Sequence, residues 1–135
     1  MYGIEELIAL AAEKRASDVH LIAGLPPKCR IDGRIETLTD GGLTRDDCEE
    51  YGRQLAGNVA DQIEAIGQLD FSASFAGRRL RVNLFRQQGA LSAAIRILAR
   101  MIPNLSELGL PEAVNQFSSW NKGIILVTGE TGSGK

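Results

Sequence analysis

Between Arg79 and Ile97 the sequence alternates around a single short break. Leu80, Val82 and Leu84 alternate with Arg79, Arg81 and Asn83. After Gln87-Gln88-Gly89-Ala90, the residues Leu91, Ala93, Ile95 and Ile97 alternate with Ser92, Ala94 and Arg96. Successive side chains of a strand point to opposite faces, so both segments read as half-buried strands. Folding them back at Gln88-Gly89 sets Leu80 beside Ile97, Val82 beside Ile95 and Leu84 beside Ala93, all on one face. A one-residue slip would send every apolar side chain to the wrong face. The same register places Arg81 directly opposite Arg96 on the polar face.

The rest of the chain supplies elements that would complete such a sheet. Ile4, Leu7, Ile8 and Ala11 recur at helical spacing, so an amphipathic helix is expected from Ile4 to about Arg15. Asp18 to Ile22 reads as a short strand. Lys28–Ile31 and Arg34–Leu38 flank Asp32-Gly33, a dipeptide suited to a two-residue hairpin because a type I′ turn needs positive φ twice. Thr44-Arg45-Asp46-Asp47 has the form of a capping box opening a helix to about Ala56. Val59, Ile63 and Ile66 mark a short helix closed by Gly67. Leu69, Phe71, Ala73 and Phe75 alternate with Asp70, Ser72 and Ser74, a further half-buried strand. Residues 101–110, with Pro103 and Gly109, read as a linker. Pro111 suits the first turn of a helix to about Phe117, and Gly123–Thr128 reads as a buried-type strand.

These elements give a fold class of α/β in the broad sense (α+β). At 135 residues, 44% hydrophobic and 24% charged, the chain has the make-up of a globular protein, which excludes a disordered or fibrous one. With aromatics at 5%, its core must be mostly Leu, Ile, Val and Ala. No apolar run approaches the ~20 residues that span a bilayer, and the acidic start does not resemble a secretory signal. Cys29 and Cys48 form no CxxC and no metal spacing, so both read as small buried apolar residues of a reduced, cytoplasmic protein. Asp18 and His20 share one strand face, but a lone His without a third partner reads as structural. Trp120 reads as a packing residue.

The net charge of −2 is unevenly spread. Residues 1–70 carry −7, residues 71–106 carry +6 from six arginines with no acid, and residues 107–135 carry −1. A basic block inside an acidic chain points to a local anion partner. Like charges facing each other across a hairpin are destabilising. Arg81 and Arg96 therefore either share an anion, since guanidinium forks suit phosphate oxygens, or form a solvated face reaching the acids of residues 1–70.

The end of the chain carries the other chemical signal. Gly129-Glu130-Thr131-Gly132-Ser133-Gly134-Lys135 has the G-x-x-x-x-G-K form of a phosphate-binding loop that follows an apolar strand. Glycines allow consecutive backbone N–H groups to face phosphate oxygens, and Lys135 would reach the β- and γ-phosphates. The full motif needs a following Ser or Thr on Mg²⁺ and then a helix. The motif is expected to belong to a longer parent, and the present residues alone are expected to be catalytically inactive.

The order of motifs is specific. Ala16-Ser17-Asp18-Val19-His20-Leu21, Pro26-Pro27, Arg30-Ile31-Asp32-Gly33-Arg34, Leu69-Asp70-Phe71-Ser72, Arg81-Val82-Asn83-x-Phe85-Arg86-Gln87, Ile102-Pro103-x-Leu105-x-x-Leu108-Gly109-Leu110-Pro111 and the phosphate loop together resemble the start of a PilT-type ATPase. That is the twitching-motility, pilus-retraction branch of a secretion ATPase superfamily that also holds the PilB and GspE types. The resemblance covers essentially the whole chain. It implies a PAS-like N-terminal domain over 1–100, with an antiparallel sheet and flanking helices. It further implies an interdomain linker over 101–110 and, over 111–135, the first helix and strand of a RecA-like motor domain cut at the phosphate loop.

It also implies a parent that hydrolyses ATP with Mg²⁺, with no metal ligand in these residues. Six subunits would form a cytoplasmic ring peripheral to the inner membrane, acting on a platform protein and indirectly on pilin. Arginines of the N-terminal domain reach the nucleotide phosphates in this family, and the matching positions are Arg81 and Arg96. Glu130 departs from the family, which usually has Pro there. Two other classes remain open: a nucleic-acid-dependent motor and a non-enzymatic sensory or assembly module. The basic strand has only Phe85 as a stacking aromatic, which argues against single-strand nucleic-acid binding.

Overall fold

Helix α1 (Ile4–Glu13) buries Ile4, Leu7, Ile8 and Ala11, the stripe that its sequence spacing predicts. Its first backbone N–H groups need acceptors from outside the helix. The side chain of Gln54 accepts from the Ile4 N–H at 2.9 Å, and Glu6 accepts from the Gly3 N–H at 3.1 Å. Helix α2 (Arg45–Ala56) opens on Thr44, whose hydroxyl accepts from the Asp47 N–H while the Asp47 carboxylate accepts from the Thr44 N–H. It buries Cys48, Tyr51, Gly52 and Leu55. A four-residue helix α3 (Ile63–Ile66) closes on Gly67 at φ +83°.

These observations come from a computed structural model, which describes residues 2–57, 63–99 and 104–129. The chain divides into two compact units, Met1–Arg100 and Met101–Lys135. Val59, assigned above to a short helix, lies outside the described residues.

The first unit is a six-stranded antiparallel sheet with the order β3-β2-β1-β6-β5-β4. Strands β1 (Asp18–Leu21), β2 (Lys28–Ile31) and β3 (Arg34–Thr37) form one meander. Strands β4 (Gln68–Phe75), β5 (Arg78–Gln87) and β6 (Ala90–Ile97) form a second. The two meet where β1 pairs with β6. The turns are those the sequence asks for: Asp32 and Gly33 lie at φ +47° and +80°, and Gln88 and Gly89 at +52° and +75°. The β5–β6 register pairs Leu80 with Ile97, Val82 with Ile95 and Leu84 with Ala93, as the alternation requires.

One face of the sheet carries Val19, Leu21, Cys29, Leu80, Val82, Leu84, Ala93 and Ile95, which join the buried stripes of α1 and α2 in a single core. Gly52 allows the closest approach of α2 to the sheet, because a Cβ there would collide with the Leu91 side chain. Both cysteines are buried in this core, and burial pushes the Cys48 thiol up to about 11. The thiol therefore stays protonated and unreactive at neutral pH.

The second unit departs from two expectations. Gly123–Thr128 reads as a buried-type strand in the sequence, but residues 123–128 adopt no strand. Ile124 is 87% exposed and Leu126 80%. A buried-type strand takes its stability from neighbours in a sheet, and none lies beside it among the described residues. The expected helix at 111–117 is instead a 3-10 helix, Glu112–Ser119, with no buried residue. A short helix that packs no apolar face is marginal. Trp120 meets Phe117 at a ring separation of 5.0 Å but remains 56% exposed, so it is less packed than expected. Among the described residues no helix is long and apolar enough to cross a membrane.

Candidate functional site

The face of the sheet opposite the core is polar, and a single register line crosses all six strands. From β3 to β4 it runs Ile35, Arg30, Asp18, Arg96, Arg81 and Ser72. The two arginines singled out by the sequence are therefore brought together, Cα partner to Cα partner, on adjacent central strands. Two guanidinium groups so placed repel unless anions intervene.

The anions are carboxylates of the same domain, and they lie on the outer sides of the pair. Arg81 donates to Asp70 through Nε at 3.2 Å and Nη2 at 2.9 Å, a two-pronged contact with both carboxylate oxygens. Arg96 donates through Nε to Asp18 at 3.1 Å. Because β4 and β1 flank the β5–β6 pair, the two side chains engage partners on opposite sides. Of the two arrangements the sequence left open, the structure shows the arginines reaching acids of residues 1–70. The groove between the arginines has a volume of about 180 Å³ and is lined by Asp18, Arg81, Asn83, Ala94, Ile95 and Arg96.

The carboxylates respond to these partners. Burial raises the Asp18 pKa, but hydrogen bonds from Ser17 and Arg96 and the charges of Arg96 and Arg30 outweigh it and hold the group below its ordinary 3.8. The hydrogen bond from Arg81 does the same for Asp70, aided by the Arg81 charge. Asp18 also forms an ion pair with Arg30 at 3.5 Å and accepts from the Ser17 hydroxyl at 2.8 Å. It is thus committed to arginines and is not an acid–base partner for His20.

Three guanidinium groups (Arg30, Arg96, Arg81) thus share two carboxylates (Asp18, Asp70), which leaves one positive charge in excess. Arg79, on the same face two residues before Arg81, adds another cation opposite Ser74. This donor set suits phosphate oxygens. Among the described residues no cluster of three or more His, Cys, Asp or Glu could hold a metal ion.

Of the phosphate-loop residues, Gly129 is exposed and outside any helix or strand. Glu130, Thr131, Gly132, Ser133, Gly134 and Lys135 lie outside the described residues. Sequence reasoning missed Asp18 and Asp70 as partners of the two arginines. Asp70 carried a local signal, since it falls on the polar phase of its strand two residues from Ser72. Asp18 did not, because its contact with Arg96 depends on β1 lying beside β6.

No family model matches the chain. Individual relatives match it throughout. It is 39% identical to the uncharacterized protein YggR of Escherichia coli, over 98% of this chain and 40% of the relative. It is 35% identical to the type IV pilus retraction ATPase PilT of Pseudomonas aeruginosa, over 98% of this chain and 39% of that protein. A crystal structure of the pilus retraction motor PilT with bound ADP superposes with a TM-score of 0.83 at 41% identity, covering all of this chain and 40% of that one. This chain is similar throughout to part of the PilT-type ATPases. The sheet with helices on one face is therefore the N-terminal domain architecture of PilT. The chain spans about two-fifths of the length of the curated relatives it matches.

Proposed function

We propose that this chain is the N-terminal part of an ATPase that powers type IV pilus retraction. The observation that carries this reading is the match to PilT through nearly the whole chain, in sequence and in fold. The described function of that relative is pilus retraction, which favours this reading over a nucleic-acid motor or a sensory module. In the parent, residues 1–100 form the N-terminal domain, 101–110 the linker and 111–135 the start of the motor domain. Six subunits form a cytoplasmic ring at the inner membrane, working on a platform protein and indirectly on pilin.

ATP with Mg²⁺ supplies the phosphoryl group that is transferred to water. Lys135 and the backbone of Gly129–Gly134 hold its phosphates, while the metal ligands belong to other parts of the parent. Arg81 and Arg96 add positive charge to the phosphates, and the cationic excess on the open face of the sheet supports that role. Such charges act by stabilising negative charge that develops in the transition state.

The test is ATP turnover by the full-length protein. Arg81→Ala and Arg96→Ala should each lower kcat by about a hundredfold or more, in the range seen when one transition-state donor is removed, with the fold retained. Wild-type turnover in both variants contradicts the phosphate role and leaves the family assignment standing.

A further inference from the structure

The two arginines are not held equally. Asp18 stands on β1, an inner strand, with its side chain 16% exposed. It serves Arg96, Arg30 and the Ser17 hydroxyl together. If Arg96 moved away, that carboxylate would still be paired. Asp70 stands on β4, the last strand of the sheet, with its side chain 46% exposed. Both of its oxygens are given to Arg81. Among the described residues no strand lies beyond β4 to offer it a second cation.

We propose that Asp70 is a releasable counter-ion, which holds the Arg81 guanidinium in a two-pronged contact at the groove and gives it up to phosphate when ATP binds, while Asp18 stays paired. This rests on the reading of Arg81 as a phosphate ligand. The exchange has a simple physical logic. Without nucleotide, Arg81 and Arg96 face each other on one register line, and a carboxylate on the outer side of each relieves their repulsion. With nucleotide, a phosphate oxygen offers the same fork geometry with more charge. Arg81 is neutralised in both states, so neither leaves a lone cation against Arg96. An exposed ion pair is weak enough to be displaced in this way, whereas the Asp18 cluster is less exposed. Asp70 is a positioning residue in this scheme: it acts only through Arg81.

The test is the affinity of the full-length ATPase for a non-hydrolysable ATP analogue with Mg²⁺, measured for the wild type, Asp70→Asn, Arg81→Ala and the double variant. Asp70→Asn should bind about two- to fivefold tighter, the range set by an exposed pair, with the fold retained. Arg81→Ala should bind more weakly, and adding Asp70→Asn to it should change nothing further. Equal or weaker binding by Asp70→Asn, with Arg81→Ala still weakened, overturns the releasable counter-ion and leaves the phosphate reading intact. Tighter binding in both backgrounds overturns it as well, because Asp70 would then act as bulk charge rather than through Arg81. If Arg81→Ala itself binds normally, the phosphate reading fails and the proposal with it.

Discussion

Two stretches that both read as strands meet opposite fates in this chain. In β6, Ala93 and Ile95 alternate with polar or small residues and are almost fully buried between β1 and β5. At 124–127, Ile-Ile-Leu-Val is more apolar still, yet Ile124, Leu126 and Val127 stand largely in solvent. Strand propensity is a fit to a pleated, half-buried surface more than a property of the backbone. The first stretch has neighbours on both sides, and the second has none among the described residues. Apolar sequence thus contributes stability only where another element covers it.

This contrast can be broken most sharply by truncating one residue of each stretch. Leu84→Ala, in the core face of β5, should cost about 2–5 kcal/mol of unfolding free energy. Leu126→Ala should change it by less than about 0.5 kcal/mol. Chemical denaturation of the 135-residue chain measures both, and a comparable loss at the two sites would show that 124–127 is covered after all. The next largest effect concerns the helix layer that covers β6. Gly52→Ala adds a methyl against Leu91, and overpacking should cost about 1–3 kcal/mol, less about 1 kcal/mol regained from helix propensity. A net gain in stability would mean that the α2–β6 contact is looser than the structure shows.

Smaller effects sharpen the same point on the polar side. Thr44→Ala removes the α2 cap and should cost about 1 kcal/mol, read from the thermal midpoint. Ser92 is 98% hidden by relative exposure of 2%, and its hydroxyl has no partner among the described residues. Ser92→Ala should therefore be neutral or stabilising by up to about 1 kcal/mol. A clear loss would reveal a hydrogen bond at that site.

Acid provides a check on the counter-ions. Asp18 and Asp70 both have folded pKa values below the ordinary 3.8. Their contribution to stability is therefore complete above the ordinary aspartate range and is lost as pH falls through the depressed folded values. The wild type should lose stability below about pH 4, and Asp18→Asn should show a shallower fall over that range. Parallel curves would mean that Asp18 gains nothing from its arginines.

Local pattern made much of the sheet legible. The β5–β6 register, the two primed turns and the Thr44 cap all follow from residues close together in the chain. So did the facing of Arg81 and Arg96, since it depends only on where the hairpin turns. What the sequence could not provide was the neighbour of each hairpin. The order that puts β1 beside β6 joins residues 78 apart, Asp18 and Arg96, and no short-range periodicity encodes it. Because that order decides which carboxylates the arginines meet, the pair was visible in advance and its counter-ions were not. The strand read at Gly123–Thr128 does not form for the matching reason: its pattern is real, but the surface it would pack against is not among the described residues.

The most direct measurement is a structure of the full-length protein with an ATP analogue bound. The account predicts Arg81 and Arg96 guanidinium nitrogens within about 3.2 Å of phosphate oxygens, with Asp18 still holding Arg30 and Asp70 no longer engaged by Arg81. A nucleotide-bound state in which Arg81 still sits 2.9 Å from Asp70 and Arg96 still sits 3.1 Å from Asp18, with no phosphate oxygen in reach of either, would contradict it.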